Sequence, residues 1–155
     1  LIHLTFGHWF NKNVSVLPNT ITHLTFGRRF KQQCNISSNI KYLKLDCNNQ
    51  SIINSLPNSI VELELDNYFN LPMDNLPSSI KKLVICEHSD YNQDLNCLPN
   101  FIEELQLNHK YEKRILYIPP NLKKIIYCKY YPYKDDFAIY NIEKIEFDTN
   151  WKNIY

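Results

Sequence analysis

Cys86, His88, His109 and Cys128 form the sharpest potential metal constellation of this chain. Two thiolates and two imidazoles make a zinc donor set, provided they converge on one tetrahedral point with Zn–S near ~2.3 Å. His3 and His23 form a further imidazole pair, by itself a weak site. Adjacent carboxylates, the usual apparatus of general acid–base catalysis, stand at Glu103 and Glu104. The segment KYYPYK, from Lys129 to Lys134, interleaves cations with aromatics, as a nucleic-acid surface would. Two glycines, Gly7 and Gly27, are too few for a phosphate-cradling loop, and neither GxSxG nor HExxH occurs. What any of these residues can do depends on the elements that carry them.

Those elements repeat. Units open at Leu1, Ile21, Ile40, Ile60, Ile80, Ile102, Leu122 and Ile142. Three places on stand Leu4, Leu24, Leu43, Leu63, Leu83, Leu105, Ile125 and Ile145, and two further Phe6, Phe26, Leu45, Leu65, Ile85, Leu107, Tyr127 and Phe147. This IxxLxL pattern alternates at its end, which predicts a short strand with one apolar face. A proline precedes most strands, at Pro18, Pro57, Pro77, Pro99 and Pro119, and leaves no room for a long helix. An aromatic follows the strand at Phe10, Phe30, Phe69, Tyr91, Tyr111, Tyr131 and Trp151. A unit of about 20 residues cannot bury its own apolar face, so the units must stack with their strands parallel. The expected architecture is a leucine-rich-like repeat solenoid: one parallel sheet of short strands, loops or short helical turns behind it, and little regular helix. Residues 1–155 make one solenoid of about seven and a half units of 20–22 residues, read as an excerpt of a longer chain.

Stacking rearranges the chemistry. Cys86 and Cys128 fall two strands apart, ~10 Å at the backbone, which strains a zinc site. Free thiols and surface imidazoles are the expectation, with no metal and no cofactor. Glu103 and Glu104 enter two rows of alternating charge: Lys81, Glu103, Lys123 and Glu143 at the second place, and Glu62, Lys82, Glu104 and Lys124 at the third. Neighbours in a parallel ladder gain from opposite signs, and Lys144 alone breaks the series. No catalytic residue is assigned. The enzyme alternative, a carbohydrate-active β-helix, would need a pocket joining carboxylates of several coils.

Charge and composition narrow the partners. With 17 basic and 16 acidic residues the net charge is +1, which gives no global field for a polyanion or an acidic membrane. KYYPYK reads as a distorted unit packing its tyrosines. No apolar run reaches the ~18–20 residues of a membrane span. Five cysteines at irregular spacing favour a reducing compartment, against which the NVS, NIS and NQS acceptor patterns at Asn13, Asn35 and Asn49 weigh little in so Asn-rich a chain. The expectation is an intracellular, cytoplasmic protein whose partner is another protein, with no nucleic acid, membrane or small-molecule ligand.

The HWFN at 8–11 with LPNTI at 17–21, LPNSI at 56–60, and YFN at 68–70 with LPSSI at 76–80 resemble the FNIP repeat, a short leucine-rich-type unit. The resemblance covers essentially the whole chain and recurs in phase. Departures fall in the second unit, which has NISSNI for the proline, in the third, with NNQ for Phe-Asn, and in the seventh, KYYPYKDDFAIYNI. The resemblance implies a family of social amoebae and amoeba-infecting giant viruses, often placed downstream of an F-box. It also implies that Asn11, Asn70 and Asn92 bond neighbouring backbones, as the asparagine of leucine-rich repeats does. The function so implied is a noncatalytic protein-interaction module, as the substrate-recruiting part of an F-box-type ubiquitin ligase adaptor, or alternatively a structural scaffold.

The fifth place of the unit, between the two inward apolar residues, faces the open side of the sheet. It carries Val84 and Ile126 on either side of Gln106, with Cys86, Asn108 and Cys128 two residues on. These six residues are the candidate partner surface.

Overall fold

The inward apolar places do form strands, and the strands stack in chain order. In the computed structural model, which describes residues 1–148, β1 is His3–Thr5, β2 His23–Phe26, β3 Tyr42–Leu45 and β4 Glu62–Leu65. They continue as β5 Lys82–Ile85, β6 Glu104–Gln106, β7 Lys124–Cys128 and β8 Glu143–Phe147. Each pairs in parallel with the next, giving one 8-stranded sheet. One short helix, α1 at Gln50–Ile53, and a 3₁₀ turn at Lys134–Phe137 lie on the return path. The expected solenoid is the observed one.

Because parallel strands sit ~4.8 Å apart, each unit place packs on the same place of its neighbours. Leu24, Leu43, Leu63, Leu83, Leu105 and Ile125 form one buried column, and Phe26, Leu45, Leu65, Ile85, Leu107 and Tyr127 a second. The aromatics behind them stack as well: Phe69 on Tyr91 at 6.1 Å and Tyr91 on Tyr111 at 6.5 Å between ring centroids. Trp151, expected to end this column, lies outside the described residues.

The return path is made of hydrogen-bonded turns. In the second to seventh units the opening amide donates to the carbonyl three residues back, as Ile21 to Pro18, Ile60 to Pro57, Ile80 to Pro77, Ile102 to Pro99 and Leu122 to Pro119. Where the proline is missing, Ile40 donates to Ser37 at 3.1 Å, so the turn survives without it. No described residue has a positive φ. A chain with two glycines can therefore turn in every unit, because none of its corners needs the left-handed region.

The two reshaped units keep their volume. In the third, Ile52 and Ile53 of α1 are buried where the aromatic is absent, and in the seventh Phe137 of the 3₁₀ turn packs on Tyr131 at 5.8 Å. The asparagine role implied by the resemblance is also present. Side-chain oxygens of Asn11, Asn48, Asn70 and Asn92 accept the amides of Lys31, Asn70, Asn92 and Glu112 in the next unit, at 2.7–3.2 Å. The first run ends at Lys31, whose ammonium cannot accept, and the second ends at Glu112.

Two stability outcomes follow. Leu63→Ala empties a fully buried site and is expected to cost about 2–5 kcal/mol in a denaturant titration. Tyr91 buries a hydroxyl that finds no partner, whereas the Tyr111 hydroxyl donates to the Gln93 carbonyl at 3.2 Å. Tyr91→Phe should therefore leave stability unchanged or raise it, and Tyr111→Phe should lower it by about 1 kcal/mol. Equal losses from the two would contradict the orphaned hydroxyl.

Candidate interaction surface

The open face of the sheet carries two rows of side chains, the third and fifth places of the unit. The third-place row runs His3, His23, Tyr42, Glu62, Lys82, Glu104, Lys124 and Glu143 in strand register. Its imidazoles stack, His3 on His23 at 4.0 Å between centroids. Lys82 bridges Glu62 at 3.2 Å and Glu104 at 3.7 Å, as the alternation of sign requires. The second-place row is paired likewise, with Lys81 3.2 Å from Glu103 and Lys123 on its other side. Glu103 is held below the usual carboxylate range by these two lysines.

The eighth strand departs from the expected register. Inward placement of Ile145 would have set Lys144 against Lys124 and Glu146 against Ile126. Instead Lys124 faces Glu143 and Ile126 faces Ile145, a slip of one residue that exchanges the faces of β8. Opposite charges meet, and two branched apolar side chains meet. The break at Lys144 disappears, because the alternation of the third-place row continues through Glu143. Lys144, displaced to the inward row at the sheet edge, remains exposed and donates to the Tyr140 and Ile142 carbonyls at 2.9 and 3.1 Å.

The fifth-place row divides in two. Lys44 bridges Glu64 at 2.7 Å and Asp66 at 2.9 Å, and Tyr42 donates to the other oxygen of Glu64. The Cys86 thiol lies 3.3 Å from Glu64. Burial alone would raise the pKa of Glu64, but hydrogen bonds from Lys44, Tyr42 and Cys86 outweigh it and hold the carboxyl below its usual range. Asp66 is lowered likewise, burial being outweighed chiefly by Lys44. Burial and the same carboxylates push the Cys86 thiol up to about 12, which leaves it protonated and unreactive. Beyond this network the row is Val84, Gln106, Ile126 and Ile145, all partly exposed.

Of the six residues expected at the partner surface, Val84, Cys86, Gln106 and Ile126 reach solvent, while Asn108 and Cys128 do not. Asn108 lies beyond the end of β6 and bonds inward to the Ser89 carbonyl at 2.6 Å, while Cys128 is still in β7, paired with Phe147 of β8. Ile145 takes their place. It was missed because its spacing from Ile142 imitates an inward residue; the misplaced Lys144 was the signal that could have found it.

The metal constellation is dispersed. His88 and His109 have ring centroids 5.8 Å apart, Cys128 is buried, and all five cysteines are free. Among the described residues no group of three or more His, Cys, Asp or Glu is gathered around one point. A cleft of ≈ 320 Å³ does carry carboxylates, but its Asp136 accepts two bonds from Arg114, at 2.6 and 3.0 Å, and is held below the usual range by them. Among the described residues no helix is long and apolar enough to cross a membrane.

At the rim beyond the strand ends, Arg29 lies 4.0 Å over the Trp9 ring and Arg28 lies 3.4 Å over Tyr68. Sequence reading passed over this group, although every acidic residue lies at or after Asp46.

Comparison with known proteins places the repeat. The FNIP Repeat model matches residues 10–38 and 32–68. No curated protein matches the chain. The crystal structure of CroV588, described as a novel circular LRR protein, superposes with a TM-score of 0.74 at 26% identity over 97% of this chain. The chain spans 24% of the length of that protein's chain.

The Lys44 network makes an acid-dependence test. Glu64 and Asp66 are depressed on folding, so their contribution is full above the ordinary carboxylate range and is lost as pH falls through their folded values. Lys44→Met is expected to cost about 1–3 kcal/mol at neutral pH. Chemical denaturation of both proteins from neutral pH to about pH 3 should show the gap closing as the carboxylates take up protons. A constant gap would mean that Lys44 acts through its aliphatic stem.

Proposed function

We propose that this FNIP-repeat solenoid of the leucine-rich class is a noncatalytic protein-interaction module that binds its partner across the open face of the sheet. The observation that carries the reading is the division of the fifth-place row. On β3 and β4 it is charged and internally neutralised, and from β5 to β8 it runs Val84, Gln106, Ile126 and Ile145. A largely apolar strip, interrupted by Gln106 and rimmed by paired charges, has the anatomy of a small interface: the strip supplies contact area, and the Lys82 and Glu104 pair beside it sets orientation.

Within that class, the resemblance to FNIP repeats supports the finer role of substrate recruitment in an F-box-type ubiquitin ligase adaptor working in the cytoplasm. A scaffold without an adaptor role is the alternative. Wild type and a Val84→Glu, Ile126→Lys double variant would be compared for partners captured from cell extract, after circular dichroism has established that both fold. The variant is expected to lose the partner. Retention of the same partners by a folded variant would remove the sheet face from consideration. For an adaptor, the captured partner should also be ubiquitylated when the full protein is present and spared by the double variant.

A further inference from the structure

Lys12, Arg28, Arg29, Lys31, Lys41 and Lys44 all precede Asp46, the first acidic residue of the chain. The first two units are thus purely cationic, and the remainder carries more acid than base. Among the described residues, most cations of the later units are in ion pairs, and none of the lysines and arginines of the first two units is. Lys44, Lys82, Lys110 and Arg114 each hold a carboxylate, whereas among the described residues Lys12, Arg28, Arg29 and Lys31 are in no ion pair.

The two arginines are nevertheless fixed. Arg29 stacks on Trp9 of the preceding unit, and Arg28 reaches across the third unit to Tyr68 of the fourth. Stacking occupies one face of each guanidinium and leaves its in-plane N–H fork free for an oxyanion. The backbone that sets this geometry is specific: a Cβ on Gly27 would stand 2.5 Å from the Gly7 carbonyl oxygen, so only glycine lets the second turn settle on the first. The Arg29 amide then donates to the His8 carbonyl at 3.1 Å, seating Arg29 beside Trp9. Asp46, the acid nearest the rim in sequence, is buried and committed. One oxygen accepts the Tyr68 amide at 3.2 Å, and the other lies 3.6 Å from His8.

We propose that this rim is a docking site for a short acidic peptide segment of a partner protein. A shallow groove of ≈ 450 Å³ lined by Trp9, Asn11, Arg28, Arg29 and Lys31 would receive it. From the first to the fourth unit the site is ~14 Å long, the span of about four extended residues, which exceeds a lone phosphate. Trp, Tyr and Arg side chains of this kind commonly dominate binding energy. Trp9 is 76% exposed and Tyr68 43%, so a peptide can cover both. A long polyanion fits less well. It would run onto units with excess acid, and its bases would compete with a guanidinium already stacked on one face of each ring. The site is separate from the apolar strip of β5 to β8 and goes beyond the reading given for it.

The test is fluorescence anisotropy with a labelled hexaglutamate peptide, at low and moderate salt, with a single-stranded deoxythymidine oligomer as competitor. Wild type is expected to bind with an affinity that falls as salt rises. An Arg28→Gln, Arg29→Gln variant, folded by circular dichroism, should bind at least tenfold more weakly. Arg28→Lys, Arg29→Lys keeps the charge and should recover only part of the loss, since an ammonium lacks the planar fork. The Val84→Glu, Ile126→Lys variant should bind the peptide as wild type does. Unchanged affinity in the glutamine variant would overturn the proposal, as would displacement of the peptide by the oligomer at lower concentration than by unlabelled hexaglutamate.

Discussion

The constraint on which this structure depends is the strand spacing. With parallel strands ~4.8 Å apart and units in register, every residue has the equivalent residue of the next unit as its nearest neighbour. A place in the unit must therefore be compatible with itself. Leucine on leucine and aromatic on aromatic satisfy that condition inside, and asparagine satisfies it at the turn, since its side chain accepts where its own amide donates. A charged residue does not satisfy it, and the sheet face answers with alternation, Glu62, Lys82, Glu104, Lys124 and Glu143 in one row.

The exceptions show which demand is the stronger. The third unit loses its aromatic but keeps a filled interior through Ile52 and Ile53. The second unit loses its proline but keeps the turn through Ser37. At β8 the nominal IxxLxL spacing yields to pairing, because a register that sets Lys against Lys and Ile against Glu is worse than one that leaves Ile145 half open at the sheet edge. Volume and cross-strand compatibility are conserved where the letters are not.

This hierarchy explains what could be read from the sequence. The fold was legible because inward places repeat in phase through most of the chain, and the charge rows confirmed the strand order independently of the apolar residues. The separation of Cys86 from Cys128 by two strands was legible too, from the repeat spacing. The register of β8 was not, because two alignments of Glu143 to Phe147 satisfy the local pattern and only the neighbouring strand chooses between them. Burial of Asn108 was hidden for a related reason: alternation predicts exposure only while the strand lasts, and β6 ends at Gln106. Cys128 is buried within β7 itself, opposite Phe147 of β8. Contacts that skip a unit, such as Arg28 on Tyr68, have no signature in a nearest-neighbour reading.

The alternating row also bears on how such an array can lengthen. If a single unit were copied in tandem, its charge would be set beside itself: a second copy of the unit of Lys82 would stack lysine on lysine at both the second and third places. Copying two adjacent units inserts one residue of each sign and leaves every neighbour opposite. Gene duplication by pairs is electrostatically silent in this solenoid, and duplication by ones is not. The apolar columns, indifferent to copy number, impose no such parity, so any preference for even increments in arrays of this kind would be written by the surface and not by the core.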